Sequence, residues 1–433
     1  MNDTIAAVAT APGRAGVAVV RVSGPDAFAL AERLCGRRPV PGRFFFVRFR
    51  DPSRDDGAAI DEGLVLGFEG PHSYTGEDVV ELQCHGGSVT PRRILEACFA
   101  AGARLARRGE FTERAFLNGR LDYDQAESVL DLIEAKTDRA ADAALAGLGG
   151  RKRRVYRELY DRALALSADL EHALDIDEGE LPEDFQSGME ARRARLRSDL
   201  EAAIRALREG RLLRDGALVV LAGPPNSGKS SLLNALVGES RAIVSATPGT
   251  TRDSIEEWMD FGGWPVRLVD TAGLRGTTDA IEAEGVRRTE DLVAKADVVL
   301  WLFDDADGAA TARKNAGERT IAVGTKRDLS ASVADGADVR ISSKTGEGLE
   351  ALRRAIVAKL ERLAERMPAG VGPRCGDALF AALSALTDVP AADDPVLLAN
   401  AVRSAGEHLG TLVGATYSAD LLDSLFSRFC VGK

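Results

Sequence analysis

The sequence predicts a multidomain protein, part α+β and part α/β, in which the α/β portion is inserted into a helical one. Three observations predict this. Between residues 213 and 363, short apolar runs alternate with helical stretches, the pattern of a parallel sheet covered on both faces. Residues 119–212 and 364–433 carry helical periodicity, and residues 1–118 mix strand alternation with helical stretches. At 433 residues the chain is too long for one ordinary core.

The composition, 45% hydrophobic and 28% charged, fits a globular protein and excludes wholesale disorder. No apolar run approaches the ~18 residues of a membrane helix. The longest, near Val298–Phe303, suits a buried strand. The N-terminus carries Asp3 and is broken by Pro12, Gly13 and Arg14, unlike a signal peptide, so a cytoplasmic location and no membrane are expected. Cys35, Cys84, Cys98, Cys375 and Cys430 are scattered without a CxxC pair, which signals neither a disulfide framework nor a zinc ribbon. A net charge of -11 gives no overall pull on phosphate backbones. Any nucleic-acid contact must use local basic runs: Arg104–Arg108, Arg151–Arg154 or Arg192–Arg197. For each run singly, a solvated helix face is the commoner outcome.

Along the chain, Gly16–Val22 alternates small and β-branched residues and stops at the turn cluster Ser23-Gly24-Pro25. Asp78–Gln83 alternates again before Gly86-Gly87, and Pro91–Ala101 reads as a helix. Asp124 to Glu127 form a capping box ahead of Val129, Leu130 and Ile133. Helices are expected around Val155–Leu174 and Met189–Glu209, then strands at Leu218–Ala222, Val266–Asp270, Val298–Phe303, Thr320–Gly324 and Val339–Ser342.

Residues 223–230, Gly-Pro-Pro-Asn-Ser-Gly-Lys-Ser, match the GxxxxGK[ST] phosphate loop and sit between a strand and a helix. Backbone N–H groups across Asn226, Ser227, Gly228, Lys229, Ser230 and Ser231 can cradle phosphates, Lys229 adds charge, and the Ser230 hydroxyl is placed for Mg²⁺. Asp270-Thr271-Ala272-Gly273 ends a second strand, where an acid and a glycine amide can meet Mg²⁺ and the γ-phosphate. Between them lies Thr247-Pro248-Gly249-Thr250-Thr251-Arg252-Asp253, a candidate switch. Thr325-Lys326-Arg327-Asp328 ends a fourth strand. Its aspartate can accept both donors of a guanine edge, which adenine lacks, and Thr325 stands where the usual motif has asparagine. Ser342, Ser343 and Lys344 would close over the base. The order of all five elements predicts a Ras-like GTPase domain binding GTP.

Ras-like domains often place glutamine after the switch glycine to orient water, but here that residue is Leu274. Asp279, Glu282 and Glu284 are acidic candidates for the task. Arg252, Arg275 or a monovalent cation can supply the missing positive charge. Asn226 can offer a carbonyl oxygen to K⁺, or simply hydrogen-bond its own loop.

The flanks are more specific. Asp3-Thr4-Ile5-Ala6, Pro12-Gly13-Arg14, Arg21-Val22-Ser23-Gly24, the run from Ser73 to Leu82, His85-Gly86-Gly87, the run from Gly109 to Asn118, Leu121-Asp122 and the ending Phe429-Cys430-Val431-Gly432-Lys433 resemble the MnmE (TrmE) family of tRNA modification GTPases along the whole chain. The resemblance implies a tetrahydrofolate-binding, dimerising domain over 1–118, a helical bundle over 119–212 and 364–433, and a K⁺-dependent G domain over 213–363. It also implies that, with an FAD protein of the MnmG (GidA) type in a heterotetramer, the homodimer modifies carbon 5 of the tRNA wobble uridine using a folate one-carbon unit. By the same resemblance Arg21, Glu81, Arg120 and Lys433 bind folate. Ser245, Ala246, Thr247, Pro248, Gly249, Thr250 and Thr251 join the GTP site. Ser230 and Thr251 hold Mg²⁺, Asn226, Ser245, Thr247 and Thr250 surround K⁺, and Glu282 orients water. Cys430 is either a reactive thiol or a small buried anchor of the tail. The alternative is a GTPase switch in RNA or ribosome assembly with no modification chemistry.

Overall fold

The computed structural model describes residues 3–53, 58–175, 181–182, 184–239, 256–271, 290–314, 317–329, 336–366, 375–388, 394–414 and 419–433. The chain divides into two compact units, Met1–Leu130 with Thr416–Lys433, and Asp131–Ala415.

In the first unit, β1 (Ile5–Val8), β2 (Ala18–Ser23), β3 (Phe44–Arg50), β4 (Ala59–Phe68), β5 (Val79–Cys84) and β6 (Arg104–Leu105) form one sheet in the order β3-β4-β5-β2-β1-β6. All pairs are antiparallel except β1 with β6. The two-residue period of a strand sends Val20 and Val22 into the core and Arg21 to the other face. Helices Ala27–Cys35 and Thr90–Ala100 cover the core face with Leu30, Leu34, Ile94 and Cys98. The first helix stops at Gly36, whose φ of 67° is the left-handed cap that glycine takes without a Cβ clash.

The C-terminal tail belongs to this unit. Helix Ala419–Phe426 leads to Phe429, which is fully buried, and Val431 bridges to Arg108. The Phe111 N–H donates to the Lys433 carbonyl oxygen at 3.2 Å. Gly432 has φ 106°, and a Cβ there would lie 2.3 Å from the Val8 carbonyl oxygen. By its contacts the tail Thr416–Lys433 groups with this first unit, away from the rest of 364–433.

In the second unit, helices Arg151–Leu174, Phe185–Asp215, Cys375–Thr387 and Pro395–Val413 share a core that includes Leu159, Leu166, Leu200, Leu379, Val402 and Leu409. The first two run longer than expected: they are capped at Gly150 and Asp184, and the second continues past Glu209 to Asp215. A second sheet contains β7 (Ala217–Ala222), β8 (Glu256–Phe261), β9 (Trp264–Asp270), β10 (Val298–Phe303), β11 (Thr320–Gly324) and β12 (Val339–Arg340), in the order β12-β11-β10-β7-β9-β8. Every pair is parallel except β8 with β9. All six residues of β7 are buried, as a central strand covered on both faces requires. β7 lies between β9 and β10, so the loop leaving it opens at a topological switch point, the ligand position of such sheets.

The helical segment does not end cleanly where the sheet begins. Ala140, Leu212 and Leu213 share a core with Val219, Leu268 and Leu300 of the sheet. The Thr137 hydroxyl donates to Gly263 O at 2.7 Å, and the Arg139 guanidinium lies 4.2 Å from the ring centroid of Trp264. Among the described residues, no helix is long and apolar enough to cross a membrane.

Candidate functional site

The loop leaving β7 is shaped by close backbone approach. Gly223 has φ 139°, and a Cβ there would lie 2.2 Å from Leu302 O on β10. Gly228 follows at φ 93°. Helix Lys229–Glu239 begins at once, so its free N–H groups face the loop. The Lys229 ammonium donates to Gly223 O at 3.0 Å and to Pro224 O at 2.8 Å, and lies 3.5 Å from Ser227 Oγ. The loop therefore wraps its own lysine, which is buried.

Two further strand ends meet this loop. Ser230 Oγ donates to Asp270 Oδ2 at 2.6 Å, so a hydroxyl and a carboxylate at the mouth form the hard oxygen pair that suits Mg²⁺. Thr271 Oγ1 donates to Leu221 O at 2.8 Å and fixes the end of β9 against β7. On the other side, Thr325 Oγ1 donates to Ser227 O at 2.8 Å and approaches Phe303 O at 3.2 Å. Threonine in place of asparagine thus still ties the Thr325–Asp328 segment to the phosphate loop.

The Asp328 carboxylate accepts from Ser342 Oγ at 2.8 Å. Ser342 is fully buried, and its Oγ accepts from the Thr345 N–H at 3.2 Å. This chain of bonds sets the aspartate against the segment that carries Ser343 and Lys344. Asn226 at φ 60° and Lys326 at φ 56° are the two non-glycine residues with positive φ among those described. Both lie in the nucleotide motifs, where strained backbone is held by its surroundings.

Asn226, Ser227, Gly228, Lys229, Ser230, Ser231, Asp270, Thr271, Thr325, Lys326, Asp328, Ser342, Ser343 and Lys344 are all described, at or just beyond the strand ends of one sheet, with Lys229, Ser230 and Ser231 opening the helix that follows β7. Ser245, Ala246, Thr247, Pro248, Gly249, Thr250, Thr251 and Arg252 lie outside the described residues. So do Ala272, Gly273, Leu274, Arg275, Asp279, Glu282 and Glu284. One residue of this cluster was missed. Asp304, at the end of β10, holds the Lys326 ammonium at 2.5 Å. An acid just past a parallel strand was the available signal.

A second cluster lies in the first unit. Arg21 and Glu81 face each other in register across β2 and β5, and Arg21 Nε and Nη2 reach Glu81 Oε1 at 3.0 and 2.9 Å. The Arg21 guanidinium lies 5.2 Å from the ring centroid of Tyr74 and 5.7 Å from that of Phe111. The tail brings the Lys433 ammonium to 5.6 Å from the same Tyr74 ring. Burial lowers the Lys433 pKa, Arg21 pushes it the same way, and Glu81 opposes them. Arg120 stays exposed and donates to Ser73 O at 3.3 Å, beside Tyr74. Arg21, Glu81 and Lys433 are thus brought together around an aromatic face that sequence reasoning missed, and Arg120 approaches from the neighbouring loop. Cys430 is exposed, so Phe429 and Gly432 anchor the tail and the cysteine does not.

Beneath this cluster, Arg114 is buried and donates to Asp3 Oδ1 at 2.8 Å and Glu77 Oε2 at 2.9 Å. Glu110 is also fully buried. Burial alone would raise its pKa, but Arg104, the Arg107 N–H and the nearby positive charges together hold it below the usual range. The run from Gly109 to Asn118 therefore supplies a charged floor to the site.

Residues 4–120 match the family described as GTP-binding protein TrmE N-terminus, and residues 124–430 match the MnmE helical domain. The tRNA modification GTPase MnmE of Symbiobacterium thermophilum is 44% identical over 461 residues, covering 100% of both chains. Its counterpart in Ralstonia nicotianae is 43% identical over 465 residues, covering 99% of this chain and 96% of that one. Among solved structures, the G domain of the T. maritima FeoB iron transporter is 29% identical and covers 33% of this chain and 98% of that one, with a TM-score of 0.26. With two family matches laid almost end to end along a chain that also folds a phosphate loop into a doubly wound sheet, the protein belongs to the MnmE (TrmE) family of tRNA modification GTPases.

Proposed function

We propose that the protein hydrolyses GTP and couples its turnover to modification of carbon 5 of the tRNA wobble uridine, adding an aminomethyl or carboxymethylaminomethyl group. One observation carries the GTPase reading: a single phosphate loop is bonded at once to Asp270, at a metal-suited strand end, and to Thr325 of the guanine-reading segment. Lys229 and the loop amides bind the phosphates, and Asp328 selects the base. Ser230 and Thr251 are assigned to Mg²⁺, and Asn226, Ser245, Thr247 and Thr250 to K⁺. When bound, the two cations neutralise charge that develops on the phosphates. Glu282 orients a water that attacks the γ-phosphorus; the bond to the β–γ bridging oxygen breaks, giving GDP and phosphate.

Arg21, Glu81, Arg120 and Lys433 are assigned to a tetrahydrofolate one-carbon derivative. The Glu81 carboxylate suits the amino edge of a pterin, the Tyr74 ring offers a flat apolar face, and the basic groups suit the carboxylates of a folate tail. An FAD protein of the MnmG type is the expected partner in a heterotetramer. A homodimer through the first unit is supported by edge strand β3, where Phe44 and Phe46 are exposed. An assembly switch without modification chemistry would have no use for the Arg21–Glu81 cluster.

Nucleoside analysis of tRNA from cells lacking the protein tests the reading. The C5-substituted wobble uridine should disappear and return on complementation, but not with a Glu282→Ala variant that still binds GTP. Full modification in the deletion strain would refute the proposal.

A further inference from the structure

The structure separates the three basic runs of this acidic chain. In Arg104–Arg108, Arg104 pairs with Asp3 at 2.6 Å and Glu110 at 2.5 Å, Arg107 pairs with Glu113 at 2.8 Å, and Arg108 donates to Phe429 O at 3.1 Å. In Arg192–Arg197, Arg192 pairs with Asp169 at 2.5 Å, and buried Arg193 donates to Leu386 O at 2.7 Å. Both runs serve the fold.

The third run is the more exposed, although the Arg154 guanidinium also donates to Gly149 O at 3.1 Å. Arg151–Arg157 holds five cations and no acid in seven residues. Arg151, Arg153, Arg154 and Arg157 are exposed, while Tyr156, Leu159 and Ala163 form the buried stripe of the same helix. At about 100° per residue, the four guanidinium groups fan over roughly 160° on the side away from that stripe. They occupy the first two turns, where the helix dipole is already positive and where the first turn carries no acid. The arrangement opposes the electrostatics of its own helix. The patch ends at Arg162, which pairs with Asp199 and Glu158.

We propose that the arginine face of residues 151–157 docks the phosphate backbone of RNA; the choice of tRNA as that RNA rests on the tRNA-modification reading above. Several guanidinium groups along about 9 Å of helix match a ladder of phosphates rather than a single anion. Planar guanidinium groups also suit phosphate geometry better than ammonium groups do.

The test uses the full chain. Fluorescence anisotropy with bulk tRNA, from about 50 to 200 mM salt, compares the wild type with a triple variant Arg151→Gln, Arg154→Gln, Arg157→Gln. The expected results are at least a roughly tenfold loss of affinity and a salt slope smaller by about 2–3, with GTP turnover unchanged. The corresponding triple Arg→Lys variant should retain most binding. Arg151→Glu should not lower the melting temperature, because an acid suits that helix end. Equal affinity and slope in the Gln variant would overturn the proposal while leaving the tRNA reading intact, since that reading is judged separately by nucleoside analysis. A wild type that binds no tRNA at about 50 mM salt would also overturn it. If the Gln variant keeps tRNA but loses binding to phosphatidylserine-containing vesicles, the face belongs to a membrane surface instead.

Discussion

The Thr325 hydroxyl contacts two carbonyl oxygens, Ser227 O in the phosphate loop and Phe303 O at the end of β10. A Thr325→Ala variant leaves Ser227 O without this donor, at about 1 kcal/mol, while Phe303 O keeps the Thr325 N–H at 2.8 Å. GTP affinity should fall about fivefold in a fluorescence titration, with kcat nearly unchanged. An affinity equal to wild type would mean that the bracket does not position the guanine reader. Residues of the nucleotide site were legible in sequence because each motif is local: four to eight contiguous residues fix both spacing and chemistry. Asp304 and Tyr74 were not, because their roles depend on which strand end or tail residue lies beside them in space. The φ of 60° at Asn226 likewise left no sequence mark.

At the scale of elements, legibility followed burial pattern. The five expected strands of the second sheet were apolar runs flanked by turn signals, and they form. β3 was missed because three consecutive phenylalanines hide its alternation: Phe44 and Phe46 face solvent, while Val47 and Phe49 face the core. Helix Glu110–Leu117 carries both Glu110 and Arg114, so one element binds the charged floor together. Replacing Arg114 by leucine leaves Asp3, Glu77 and Glu110 without their shared cation, and the first unit should lose about 3–5 kcal/mol. All three tryptophans, Trp258, Trp264 and Trp301, lie in the second unit, so the loss should be read by hydrogen exchange at Val20 and Val22. Wild-type exchange in those strands would show that the cation is dispensable.

The same network sets a pH dependence. The Asp3 and Glu110 carboxyls titrate below the usual range in the folded protein, so protonation favours the unfolded chain. Their contribution is fully present above about pH 4.3 and is lost as the pH falls below that through their folded values. Protection of β1 and β2 should decline over that acid window in the wild type and less steeply in Arg114→Leu. Identical profiles would remove the network as the cause.

At the scale of the whole molecule, the chain is cut differently in space than in sequence. A helical domain with an inserted α/β domain was readable from periodicity. The docking of the tail on the first unit was implied only by the resemblance that groups Lys433 with Arg21 and Glu81, since it rests on Phe429 filling a socket and on Gly432 passing close to Val8. Gly432→Ala places a Cβ against the Val8 carbonyl oxygen in a backbone region that alanine rarely adopts. The tail should lift, carrying Lys433 away from Arg21. Binding of 5-formyltetrahydrofolate, followed by calorimetry, should drop at least tenfold while GTP turnover persists. Undiminished binding would place the folate site away from the tail.

That docking also bears on how the molecule is assembled. The first unit cannot be sealed by its own contiguous stretch of chain, since Phe429 must find a socket formed more than three hundred residues earlier. The thermodynamic penalty of such a long closure grows only logarithmically with its length, but such non-local contacts form slowly. Refolding should therefore show a fast phase in which each sheet gains its internal pairing and a later one in which the seam closes.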